Sequence, residues 1–136
     1  MKIKDHVILA FIAVVAWVLF YILGIPSNYY QDWNFAELVL LSLITLFGFV
    51  PFISAVVIIL MNGDYVKTGL WFAFYGSVLL ALLDFLVCGL IQGRGVSVFV
   101  SHWYVTAGYA YVWIEGPLVG YILKKFRNAA GKGQIV

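Results

Sequence analysis

Four long apolar stretches separated by short polar breaks dominate the chain. The first runs from about Val7 to Ile25 without a charge and stops at Pro26, Ser27 and Asn28, where proline and its neighbours discourage further helix. The second runs from about Leu38 to Met61 and ends at Asn62, Gly63 and Asp64, a strong turn signal. The third spans about Thr68 to Ile91 and ends at Gln92-Gly93-Arg94-Gly95, and the fourth spans about Val98 to Leu123 and stops at Lys124-Lys125. About 20 mainly apolar residues carry a helix across the hydrocarbon core. The pattern predicts an all-α membrane protein: a compact bundle of four transmembrane helices forming a single domain over residues 1–127. The small and polar residues from Asn128 to Val136 read as a short disordered cytoplasmic tail.

Composition sharpens this reading. The chain has 136 residues, of which 65% are hydrophobic and 10% charged, against about 25% charged in soluble domains. A chain this short cannot enclose so much apolar surface behind a water-facing shell, so lipid is the sink that fits. The first stretch has a basic lead-in at Lys2 and Lys4, yet it is longer than a signal-peptide core and no small-residue cleavage site follows it. It reads as a retained span.

Basic residues set the orientation. With four spans both ends lie on one side, which holds Lys2, Lys4, Lys67, Lys124, Lys125, Arg127 and Lys132, whereas the other side holds only Arg94. The termini are therefore expected in the cytoplasm, N-in and C-in, of a bacterial or archaeal membrane. The long outer loop carries Tyr29, Tyr30 and Trp33, aromatics suited to the headgroup layer. A net charge of +2 offers no basic face for nucleic acid. The expected partners are the lipid bilayer and a second copy of the chain or another membrane protein.

Three ionisable residues fall within the spans: Asp84, His102 and Glu115. Such groups are costly in lipid, face the bundle interior and mark candidate ligand or proton sites. At about 1.5 Å of rise per residue, Asp84 sits about 10 Å and His102 about 6 Å from the outer face. On adjacent antiparallel helices that matched depth predicts an Asp84–His102 contact. Glu115 lies about 20 Å further along the axis and stands alone. Pro117 follows it and Gly116 intervenes, which predicts a kink beside a carboxyl. Pro51 in the second span predicts a similar kink, and together the two prolines would shape a cavity open to the cytoplasm or simply bend packed helices. Tyr104, Gly108, Tyr111 and Glu115 share one helical face, either a polar groove or a hydrogen-bonded seam.

Packing signals are also present. Gly69, Ala73, Ser77 and Ala81 repeat every four residues, and Gly116 and Gly120 form a G-x-x-x-G step; small faces of this kind let helix backbones approach closely in lipid. Asp84 projects near the first of these faces. Cys88 is the single cysteine, so an internal disulfide or a Cys-x-x-Cys redox pair is excluded and a small packing residue is expected. His6 and His102 lie on opposite sides, no metal site is expected, and no cofactor is implied. A Ser101–His102–Asp84 triad fails because adjacent helical residues face different ways, which disfavours an enzyme. The first span lacks the glutamate of small multidrug transporters, and no internal repeat appears. Two functions remain: a small transport protein or transport-complex subunit using intramembrane carboxyls, or a non-catalytic accessory, assembly or immunity-type protein whose polar residues only specify packing.

Overall fold

A computed structural model describes residues 2–132, of which 88% are helical, and no strand occurs among them. Helices α1 (Ile3–Ser27), α2 (Phe35–Met61) and α3 (Tyr65–Ile91) are each long and apolar enough to cross a membrane. Their boundaries follow local chemistry. Asn34 caps α2 reciprocally: its Oδ1 accepts from the Glu37 amide at 3.0 Å, and Glu37 Oε2 accepts from the Asn34 amide at 2.9 Å. Asn62 ends α2 in the left-handed conformation, with φ 46°, as the Asn-Gly-Asp turn signal requires. Asp64 then caps α3 by accepting from the Lys67 amide at 3.0 Å.

The Asp64 cap carries a pH prediction. Hydrogen bonding from the Lys67 amide, with help from the Lys124 ammonium, holds the Asp64 carboxyl below its ordinary range. A depressed pKa contributes stability above the unfolded value of about 3.9 and loses it as pH falls through the folded value. Acidification below about pH 4 should therefore fray the start of α3. Hydrogen exchange at the Lys67 amide should accelerate there relative to mid-helix amides, and Asp64→Ala should remove the pH dependence.

The fourth apolar stretch departs from its expected form. It is not one helix from Val98: a short helix α4 (Val98–Ser101) precedes a break at His102, with φ −107° and ψ 51°, and α5 (Trp103–Lys132) follows. At the break the Val98 carbonyl still accepts from the His102 amide at 3.0 Å, but the Phe99 carbonyl, which a continuing helix would offer to the Trp103 amide, is taken by a side chain. His102 Nδ1 lies 3.1 Å from the Val98 carbonyl, the Ser101 hydroxyl donates to the same oxygen at 3.3 Å, and Thr106 Oγ1 donates to the Phe99 carbonyl at 2.7 Å. At 30 residues α5 is long enough to cross a membrane, but its polar and aromatic content leaves it less apolar than the other three. It also runs beyond Leu123 through Lys132, so 128–132, expected to be disordered tail, are helical, while 133–136 lie outside the described residues. Pro117 sits inside this helix without ending it.

The central pair is α3 with α5. Gly69 of α3 meets the backbone of Gly116, and Gly120 meets that of Tyr65, so close that an added Cβ would strike main-chain atoms. Ala73 and Ser77 are buried along the same seam, and Ala81 is half-buried. Helix α1 packs against α3, and α2 packs against α5 and the first turns of α3. No packed seam joins α1 to α2; the Phe20 and Phe49 rings meet edge to face at 6.0 Å across that gap. The outer surface is apolar: Phe11, Phe47, Phe52, Leu60 and Ile114 are all well exposed.

Candidate functional site: an apolar cleft and two separate carboxyls

The gap between α1 and α2 is a partly open cleft of about 250 Å³ with α3 and α5 as its floor. Its lining is almost wholly apolar or aromatic. The helices that border it are locally widened. π-helical turns at Thr45–Phe49, Tyr75–Leu79 and Phe85–Ile91 place Thr45, Phe49, Tyr75, Gly76 and Cys88 in the lining. Such turns are uncommon and often accompany functional sites. Pro51 follows the first, where its ring cannot tolerate the carbonyl position of a regular helix. Beside the second, the Ser77 hydroxyl takes the Ala73 carbonyl at 2.7 Å.

Asp84 is half-buried and lines this cleft. Trp17 Nε1 of α1 donates to its Oδ1 at 2.7 Å, and the Tyr109 hydroxyl of α5 donates to Oδ2. One carboxyl therefore ties α1, α3 and α5 together. The indole of Trp17 stacks on Tyr21 at 4.9 Å between ring centres.

The expected Asp84–His102 contact does not form. The turn at His102 swings its ring onto its own helix, where Nδ1 stands near the Ser101 hydroxyl and Val98 carbonyl, while Nε2 faces Arg94 Nη1 at 3.4 Å. His102 is nevertheless buried and borders the same cleft. The loop between α1 and α2 covers that end. Asn28, Tyr29 and Tyr30 are consecutive non-glycine residues with φ of 49°, 58° and 67°, a conformation that costs about 1–2 kcal/mol per residue. Tertiary bonds hold it: Tyr104 donates to the Tyr29 carbonyl at 2.5 Å, Tyr30 to the Phe20 carbonyl at 3.0 Å, and Gln92 Nε2 to the Tyr29 hydroxyl at 2.7 Å. Arg94 donates to Asn28 Oδ1 at 3.3 Å and lies 5.7 Å from the centre of the Tyr29 ring. The loop aromatics are thus engaged in a structured cap.

Glu115 occupies a different environment. It is 3% exposed, and Ser54 of α2, at 0% exposure, donates to its Oε1 at 2.5 Å. Its other oxygen is buried without a partner. Glu115 and Tyr111 do not line the cleft, and neither do Pro51 and Pro117. Tyr104 and Gly108 do line it, so the shared face of α5 divides between cleft and helix interface. Tyr111 packs edge-on against Phe47 at 5.6 Å. Gly116 and Gly120 serve the α3–α5 seam.

Sequence reasoning missed Trp17, Ser54 and the role of Tyr109. A signal for Trp17 existed: a mid-span indole N–H needs an acceptor, and side-chain carboxyls in the spans are few. Among the described residues no three His, Cys, Asp or Glu stand close enough to hold a metal. Comparison with protein-family models, curated proteins and solved structures finds no match to this chain.

Proposed function

We propose that the chain is a four-helix, multi-pass membrane protein with both ends in the cytoplasm, and that it handles an amphipathic solute drawn from the bilayer, as a small transport protein or a transport-complex subunit. The single observation that carries this reading is Asp84, an ionisable group in the wall of an apolar cleft that opens between α1 and α2. Apolar clefts with a few convergent polar groups are the usual form of small-molecule sites, and ionisable groups at membrane depth usually serve function. As the fourth crossing, α5 turns Tyr104 and Glu115 inward and leaves Trp113, Ile114 and Leu118 exposed. Its 30 residues give about 45 Å of helix, ample for a hydrocarbon core of about 30 Å.

The packing role retains support at one place. Glu115 is sealed under Ser54 and lies outside the cleft, which suits a residue that specifies how α2 meets α5. The accessory reading predicts that Asp84 is sealed as well.

Thiol labelling separates the two readings. On a Cys88→Ala background, Asp84→Cys and Thr106→Cys should react with a lipid-soluble maleimide much faster than Ser54→Cys. Arg94→Cys and Lys125→Cys should react with an impermeant reagent from opposite sides. Slow reaction at 84 and 106, matching position 54, would leave a sealed packing bundle as the better account. Labelling of 94 and 125 from the same side would refute the four-span topology.

A further inference from the structure

We infer that the occupant of the cleft is an amphipathic cation, with its charged nitrogen beside Asp84 and its apolar tail lying between α1 and α2. This rests on the cleft reading above and names the class of solute.

Charge accounting carries the argument. Asp84 accepts from Trp17 Nε1 on one oxygen and from Tyr109 on the other. A carboxylate offers about four lone-pair sites, so half of its accepting capacity is still open. Both donors are neutral, so they orient the carboxylate without cancelling its charge. Among the described residues the one ion pair is Lys124 with Asp64, and it touches neither Asp84 nor the cleft lining. Arg94, the basic residue just beyond α3, is spent on Asn28, His102 and the face of Tyr29. Among the described residues no Lys or Arg pairs with Asp84, and His102, the ionisable base in the same lining, turns its ring nitrogens to the Val98 carbonyl and Arg94. An anion so placed at membrane depth is costly, and an incoming cation relieves it.

The walls agree with the charge. Trp17, Tyr21 and Tyr109 surround the carboxyl's side of the cleft, and aromatic faces attract ammonium groups within about 6 Å of the ring centre. Most of the remaining lining is apolar, with Leu9, Ile12 and Ile53 among its residues beside the polar Ser42, Thr45, Thr106 and His102, which suits an alkyl or ring system. An anionic amphiphile would meet the Asp84 charge directly. A neutral one would leave that charge uncompensated.

The test uses the full chain in nanodiscs of zwitterionic lipid and equilibrium dialysis with matched probes sharing one dodecyl tail: dodecyltrimethylammonium, dodecanol and dodecyl sulfate, each below its micelle concentration. The ammonium probe should bind saturably to the wild type, tighter than either other probe by about tenfold, as a charge-assisted contact of about 1.4 kcal/mol gives. Asp84→Asn should erase that preference, Asp84→Glu should retain it in part, and Ala16→Phe, which fills the cleft, should weaken all three probes. Equal binding of the three probes, blocked by Ala16→Phe, would overturn the cationic assignment and leave the cleft reading intact. Selective cation binding untouched by Asp84→Asn would overturn the role of Asp84. Absence of saturable binding to folded wild type would overturn both readings. Should Asp84→Asn fail to fold, the headgroup preference of the wild type decides alone.

Discussion

Gly69→Ala should destabilise the protein by about 3 kcal/mol, near the upper end for overpacking. The new methyl group would land on the carbonyl of Gly116, which is main chain in the middle of a helix and cannot rotate away. The two helices would have to separate along the seam that joins α3 to α5, the most extensive contact in the molecule. Without a hydrophobic driving force between helices in lipid, close backbone approach supplies much of the association energy, so a small separation weakens many contacts together. Gly48→Ala is the control: a Cβ there has nothing within 4 Å, and alanine is favoured over glycine in a helix by about 1 kcal/mol. Denaturant titration in mixed micelles, followed by helical circular dichroism, should show opposite shifts for the two variants. Equal stability of Gly69→Ala and wild type would refute the seam.

The close-packing faces were legible in the chain because small residues every four positions let backbones approach, though that pattern serves contacts between chains as readily as the α3–α5 seam within this one. The apolar stretches of α1, α2 and α3 were legible for a similar reason: length and hydropathy alone decide whether a helix can cross lipid. The inward placement of Asp84 was readable from its angular position near Ala73, Ser77 and Ala81. Its partners were not. Helix α1 is apolar on nearly every side, so no face of it is marked for packing, and the one signal that Trp17 turns toward α3 is its indole N–H needing an acceptor. The same uniformity hides the gap between α1 and α2.

The break at His102 was hidden for a different reason. Val98 to Leu123 is apolar enough to suggest a single span, and helix periodicity cannot register competition for carbonyls. That competition lies at Thr106, whose hydroxyl takes the Phe99 carbonyl, while Ser101 and His102 add side-chain contacts to the Val98 carbonyl one residue earlier. The cap formed by the loop between α1 and α2 depends on bonds between residues far apart in the chain, such as Tyr104 with the Tyr29 carbonyl. These rescue a left-handed run that tyrosine does not adopt by preference. Glu115 lies between these cases. Its isolation from His102 followed from helical rise, but its partner Ser54 lies on another helix, beyond reach of any local pattern.

Asp84→Leu should cost about 2 kcal/mol of stability, and the reason lies in what it leaves behind. Leucine is larger than aspartate, but the apolar cleft beside position 84 has room for it, so the lost carboxyl is not itself the expense. The substitution orphans Trp17 Nε1 and the Tyr109 hydroxyl, and a buried donor without a partner costs about 1–3 kcal/mol. Membrane proteins moderate that figure, because hydrogen bonds between their helices average about 0.6 kcal/mol in double-mutant cycles. A second change isolates the cause. Tyr109→Phe removes one orphan and should be harmful alone but nearly neutral, or restoring, on the Asp84→Leu background. The same sign reversal is expected for Trp17→Phe. Additive losses in both double variants would mean that the tyrosine and indole contribute through ring packing, and that the carboxyl does not join α1, α3 and α5. Non-additive recovery would establish the three-helix tie, and with it that Asp84 is held in place by the bundle before any solute arrives.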